Sequence, residues 1–187
     1  MIKREIETQI KTQLHKKKTI LLFGPRQSGK TTLLKSLIKD EPENLVFLNA
    51  DDPKILATMN RPNTEELRQI IGTNTVFIID EAQRIPEIGI TAKLIHDTFP
   101  KVQLILSGSS AFELANRTHE PLTGRKRVFN LWPVSFNEYQ NHFGYLHAES
   151  DLENRLVYGF YPEVLSGTDD SELIIKEIAD SYLYKDI

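Results

Sequence analysis

Hydrophobic positions along this chain fall into short blocks separated by amphipathic stretches. Ile2, Ile6, Ile10 and Leu14 recur every fourth residue with Lys, Glu and Gln around them, which predicts a helix docked by one face. Thr19 to Phe23 is a short apolar run of the kind buried on both faces of a parallel sheet. A glycine-rich turn follows, and Lys30 to Lys39 then reads as a helix with Leu33, Leu34, Leu37 and Ile38 as its stripe and Pro42 marking its end. The alternation continues: Leu45 to Leu48 as strand, Thr64 to Ile71 as helix, Val76 to Ile79 as strand, Glu87 to Phe99 as helix, Val102 to Leu106 as strand. Arg127 to Leu131 is a weaker fifth strand. Strands separated by helices of this length predict an α/β fold, a doubly wound parallel sheet of about five strands flanked by helices. From Trp132 onward the pattern is helical, with Phe136 to Phe143, Leu152 to Tyr158 and Ser171 to Tyr184 as helices. The division expected is a core at 1–131 with its N-terminal helix, followed by a helical extension at 132–187. The last helix meets no stop signal, which reads as part of a longer chain.

The turn after the first strand carries chemistry. Gly24-Pro25-Arg26-Gln27-Ser28-Gly29-Lys30-Thr31 matches the Walker A pattern at every fixed position. Glycines let backbone N–H groups turn around an anionic phosphate, and the helix that begins near Lys30 adds the positive end of its dipole. Lys30 would reach the β- and γ-phosphates, and the Thr31 hydroxyl would ligate Mg²⁺. Gly24 to Gly29, with Lys30, Thr31 and Thr32, form the expected nucleotide-binding set; Arg26 either contacts phosphate or faces solvent. Val76 to Ile79 then runs into Asp80-Glu81, as a Walker B strand delivers its carboxylate to magnesium. Asp80 is the metal partner and Glu81 the group that polarises the attacking water. Ser107, after the fourth strand, is a candidate sensor of the γ-phosphate, its alternative being a plain turn or cap.

These segments resemble the prokaryotic AAA-type ATPase family of P-loop NTPases. The resemblance rests on the loop from Gly24 to Thr32, Asp80-Glu81-Ala82-Gln83, Ser107-Gly108-Ser109-Ser110 and Leu122-Thr123-Gly124-Arg125. Leu131-Trp132-Pro133-Val134-Ser135-Phe136 and Gly159-Phe160-Tyr161-Pro162-Glu163 extend it. It implies a parallel sheet in which the sensor strand lies between the Walker A and Walker B strands, and a further C-terminal domain after the present chain. It also suggests that Arg125 meets phosphate in its own or a neighbouring subunit; a solvated basic loop is the alternative. Ser107 stands where the family commonly has Thr, and Tyr161 where a second glycine is common.

Composition narrows the remaining choices. A chain of 187 residues holds one domain with a substantial core, or one plus the start of another. It has no cysteine, which excludes disulfides, Cys-ligated zinc and thiol nucleophiles. Its five histidines show no helical pairing for zinc. A formal net charge of -3 provides no global attraction for nucleic acid or an anionic membrane. Any nucleic-acid contact would fall to a local cluster such as His15-Lys16-Lys17-Lys18, which also reads as the solvated approach to a buried strand. Asp51-Asp52-Pro53 reads as a turn and helix cap or as an approach to the nucleotide. No apolar stretch is long enough for a signal or a membrane span, so the cytoplasm is the default location. The leading expectation is an ATPase that uses ATP and Mg²⁺ to drive a conformational change, with a homo-oligomer or a protein client as candidate partners. The alternatives are a nucleotide-gated binding module with little turnover, and a small-molecule or nucleotide kinase. Glu81 and the lack of an arginine-rich lid speak against the kinase.

Overall fold

The computed structural model describes residues 1–39, 44–109, 114, 117, 118, 120–167 and 170–183, with side chains as far as 180. Pro42, Ser110 and Tyr184, named above, lie outside the described residues. The five expected strands are β1 (Thr19–Phe23), β2 (Leu45–Asn49), β3 (Val76–Asp80), β4 (Gln103–Gly108) and β5 (Lys126–Asn130). They make one sheet in the order β2-β3-β4-β1-β5, all neighbours parallel. The strand bearing Ser107 therefore lies between those that lead to Lys30 and Asp80, as the family resemblance implies. Every residue of β1, β3 and β4 is buried, while β2 and β5 form the partly exposed edges.

The period of two along each strand divides the core between the faces. Leu21, Phe23, Phe77, Ile79, Leu104 and Leu106 meet Met59, Leu67, Ile71, Ile88, Ala92 and Ile95. Those partners come from α3 (Pro53–Met59), α4 (Thr64–Ile71) and α5 (Ile88–Thr98). On the other face Ile20, Leu22, Ile78 and Ile105 pack against Ile10, Leu33, Leu34 and Leu37. These belong to α1 (Glu5–Lys11) and α2 (Lys30–Leu37). The first helix is shorter than its four-residue pattern predicts, because Arg4 is extended at φ -95 and ψ 131. Ile2 leaves the helix to join Val134 and Tyr139, while Leu14 stays on the sheet face beyond its end.

The C-terminal segment comprises α6 (Phe136–Phe143), α7 (Tyr145–Ser150), α8 (Leu152–Tyr158), α9 (Pro162–Ser166) and α10 (Ser171–Leu183). Periodicity found α1 and α8, each of seven residues, but missed α3, α7 and α9, of seven, six and five, where so short a stretch barely displays a repeat. Asp52 does cap α3, its side chain accepting from the Lys54 N–H at 2.8 Å. Among the described residues no helix is long and apolar enough to cross a membrane.

Two features lend themselves to test. A Cβ at Gly24 would lie 2.2 Å from the Leu131 carbonyl oxygen, so the loop's first glycine is required where the ends of β1 and β5 converge. Gly24→Ala is expected to cost about 1 to 3 kcal/mol, seen in a thermal melt as a loss of roughly 2 to 4 °C per kcal/mol. In the helical segment, burial and a 2.6 Å hydrogen bond to Asp151 push the Tyr139 phenol up to about 12. The folded chain keeps this proton where the unfolded chain releases it near the ordinary value of 10.0, so stability falls as pH rises from about 10 toward 12. Denaturant titrations of Tyr139→Phe should show that part of the alkaline loss removed.

Candidate functional site

In a parallel sheet all carboxyl ends share one edge, and loops there face a common cleft. The loop 24–29 leaves β1 at that edge. Gln27 (φ 59) and Gly29 (φ 93) both take left-handed backbone angles, the kind of alternation that turns successive N–H groups to one side. No side chain caps the first turn of α2 and no acidic residue lies in it, so its amides are available to an anion. Lys30 is 5% exposed, and its ammonium donates to the carbonyl oxygens of Gly24 and Pro25, both at 2.9 Å. Burial holds this amine below its ordinary value, with Glu81 and Asp80 pulling it back up and Arg26 adding to the depression. Ser28 is fully buried, its hydroxyl donating to the Pro25 carbonyl at 2.8 Å.

Asp80 ends β3 with 2% exposure, and three donors converge on it. The Thr31 hydroxyl donates to Oδ2 at 2.5 Å, the Ser107 hydroxyl donates to Oδ1, and the Glu81 N–H reaches Oδ1 at 3.1 Å. Ser107 lies inside β4 rather than after it, because β4 runs alongside β1 as far as the Ser107–Leu22 and Gly108–Phe23 pairs. The serine thus contacts the carboxylate directly. Thr31 and Asp80 together offer hard oxygen donors, and no group of three or more His, Cys, Asp or Glu that could hold a metal occurs among the described residues. That donor set fits Mg²⁺, which keeps water and phosphate oxygens in its shell and takes few ligands from protein.

Glu81 adopts φ 52 and ψ 36, a conformation that costs a non-glycine residue about 1 kcal/mol or more. The strain turns the chain into a single 3₁₀ turn, Ala82–Arg84. The Gln83 amide in that turn donates to Glu81 Oε2 at 2.5 Å and to the Ser109 hydroxyl at 3.2 Å. Gln83 is 7% exposed, and a Cβ at Gly108 would come within 2.4 Å of its Oε1, so this glycine makes the room that the amide needs. Sequence reasoning quoted Gln83 only as part of a motif and gave it no role; its nearness to a predicted catalytic carboxylate was the available signal.

A cavity of about 540 Å³ opens over these groups, walled by the loop from Arg26 to Thr32, by Asp51, Glu81 and Arg84, and by Pro162 and Glu163. The structure therefore gathers Arg26, Gln27, Gly29, Lys30, Thr31, Thr32 and Glu81 around one space, with Asp80 and Ser107 beneath it. Gly24, Pro25 and Ser28 lie behind the wall as the loop's frame. A second, more apolar cavity of about 390 Å³ adjoins the first through Gly29, Thr32 and Pro162.

Arg4 supports the loop from behind. Its guanidinium donates to the Ser28 carbonyl at 3.0 Å, to the Trp132 carbonyl at 2.5 Å and to Glu138 at 3.0 Å. Glu138 also accepts the N–H groups of Glu5 (2.7 Å) and Ser135 (2.9 Å), so this buried pair is fully hydrogen-bonded.

Arg125 is not brought to the cavity in its own chain. It directly precedes β5, and its carbonyl accepts the N–H of Thr19, the first residue of β1. The phosphate loop follows the last residue of β1, about 16 Å away along five extended residues. Its guanidinium pairs instead with Asp97 at 2.9 Å.

Comparison with known proteins agrees with this architecture. The chain is 32% identical over 131 residues to an uncharacterised protein of Mycobacterium tuberculosis, covering 69% of this chain and 28% of that one. It is 28% identical over 149 residues to an uncharacterised protein of Methanocaldococcus jannaschii, covering 74% and 30%. The chain thus spans less than a third of the length of these relatives. Among solved structures it superposes on the Walker-type ATPase PABY2304 of Pyrococcus abyssi with a TM-score of 0.61 at 16% identity, over 97% of this chain and 72% of that one. A chain in the structure of Drosophila ORC bound to DNA gives 0.51 at 16% identity, over 72% and 93%. Both likenesses establish the P-loop NTPase fold. The model of the AAA domain matches residues 16–140, well over half the sequence, and the chain belongs to the AAA-type P-loop ATPase family.

Proposed function

We propose that this chain binds ATP with Mg²⁺ at the 24–32 loop and hydrolyses it, coupling the reaction to a conformational change in itself or a client. The observation that carries the reading is the meeting of Lys30, Thr31, Glu81 and the Asp80–Ser107 pair at one cavity on the carboxyl edge. Loop amides and Lys30 hold the β- and γ-phosphates. Thr31 and Asp80 hold the magnesium ion, which supplies neutralising charge to the phosphate oxygens. Ser107 fixes the carboxylate of Asp80, so its part in catalysis runs through that residue. Glu81 takes the proton of a water that attacks the γ-phosphorus as the bond to the β-phosphate oxygen breaks, and ADP and phosphate leave. Gln83 and Ser109 engage Oε2 of Glu81 and so set the direction of its carboxylate.

The adjoining cavity suits the base. Ile2, Leu33, Val134, Phe143 and Leu165 give it apolar walls for a flat purine, and the shared boundary at Gly29, Thr32 and Pro162 lets one molecule occupy both spaces.

Mg-ATP at a hundredfold excess over its dissociation constant is expected to stabilise the fold by about 2.7 kcal/mol. Lys30→Ala should abolish the shift in a thermal melt; a parent protein that ATP, ADP and GTP all leave unmoved would refute nucleotide binding. Glu81→Gln is expected to keep nucleotide affinity while turnover drops by about 10² to 10⁴. Phosphate release at the parent rate from that variant would remove Glu81 from the chemistry and favour a gated binding module.

A further inference from the structure

Transfer of a γ-phosphoryl group develops charge on its oxygens, and an added arginine is worth about 10³ to 10⁵ in rate. Arg125, the residue the sequence offers for this task, sits on the opposite edge of the sheet. The carboxyl edge has another guanidinium. Arg84 closes the turn that follows Glu81, its N–H bonded to the Glu81 carbonyl at 3.0 Å. It lines the 540 Å³ cavity together with Lys30, Thr31 and Glu81.

Its partner there is Asp51, with Arg84 Nε 2.6 Å from Asp51 Oδ1. Asp51 lies two residues past the end of β2, next to Ala50, whose N–H is bonded to the Asp80 carbonyl at 3.0 Å. Both members of the pair thus grow from backbone anchored to the end of β3, and both face the same space. Their side chains are 49% and 51% exposed, where an ion pair contributes only about 0 to 1 kcal/mol. A terminal phosphate offers a denser negative charge and the paired acceptors that a guanidinium fork fits.

We propose that Arg84 recognises the γ-phosphate, releasing Asp51 to do so, and thereby makes the site selective for nucleoside triphosphate over diphosphate. The proposal rests on the nucleotide-binding reading given above. Asp51 acts as its counterweight: it holds the arginine at the cavity wall and competes with the phosphate for it. Arg26 borders the same cavity from within the loop and adds attraction for any bound nucleotide.

The test is calorimetric affinity for ADP and for a non-hydrolysable ATP analogue, both with Mg²⁺, in the parent, Arg84→Ala, Arg84→Lys, Asp51→Asn and the Asp51→Asn/Arg84→Ala double variant. Arg84→Ala should weaken the triphosphate about ten- to hundredfold, the worth of a charge-assisted hydrogen bond, and leave ADP within about twofold. Arg84→Lys should recover part of the loss. Asp51→Asn should tighten the triphosphate, and the double variant should lose that gain. Arg26→Ala, measured alongside, should weaken both nucleotides alike. Equal effects of Arg84→Ala on both nucleotides, or no effect on either, would overturn the proposal, as would tightening by Asp51→Asn that survives loss of Arg84. A parent that binds neither nucleotide, or a Lys30→Ala variant that binds both unchanged, would instead sink the underlying nucleotide reading.

Discussion

A carboxylate with 2% exposure cannot remain in a protein interior without donors, and the arrangement of this molecule can be traced from how Asp80 obtains them. One comes from the helix after β1, one from β4 and one from the next residue of its own chain. The strands meet this requirement with β4 between β1 and β3 and each ending at the same edge. Displacing β4 by a single residue would turn Ser107 to the opposite face and leave an oxygen of Asp80 without its hydroxyl. The hydrophobic alternation that separates the two cores and the polar contacts that build the site thus impose the same register.

The same edge carries two kinds of interaction. Deep contacts, between Asp80 and its donors and between Lys30 and the loop carbonyls, are buried and leave little freedom. Those at the cavity mouth, such as Asp51 with Arg84, are half in water and weak. Glu81 stands between the regimes, its backbone strained by a left-handed angle while Gln83 and Ser109 hold its side chain. A site with a stiff floor and adaptable walls suits a ligand whose charge changes during the reaction.

What could be read from the sequence followed from pattern length. Most strands were recovered because each is a largely apolar block, and the meeting of Lys30, Thr31, Asp80 and Glu81 at one edge was legible because motif spacing fixes them relative to a strand end. Among helices of seven residues or fewer, α1 and α8 were found but α3, α7 and α9 escaped, since so short a stretch shows barely two turns of periodicity. Gln83, Arg84 and Arg4 escaped because a single polar residue shows nothing of a contact made through space: Arg4 meets Glu138 across 134 residues of chain. Arg125 is different, since its position could have been inferred. A residue that directly precedes a strand of a parallel sheet must lie at the amino edge, away from the loops that follow the strands.

The tie from Arg4 also bears on when the site becomes complete. A ribosome makes the chain from its first residue, and the loop is exposed long before Trp132 and Glu138 exist. Until they emerge, the guanidinium that backs the Ser28 carbonyl lacks the acceptors that lock it in place. The sheet can pair as its strands appear, whereas the support of the phosphate loop joins Arg4 to residues made 128 and 134 positions later. The loop's backing is therefore completed only once Glu138 has been made, and a chain that stops short of it would carry the whole motif without that support.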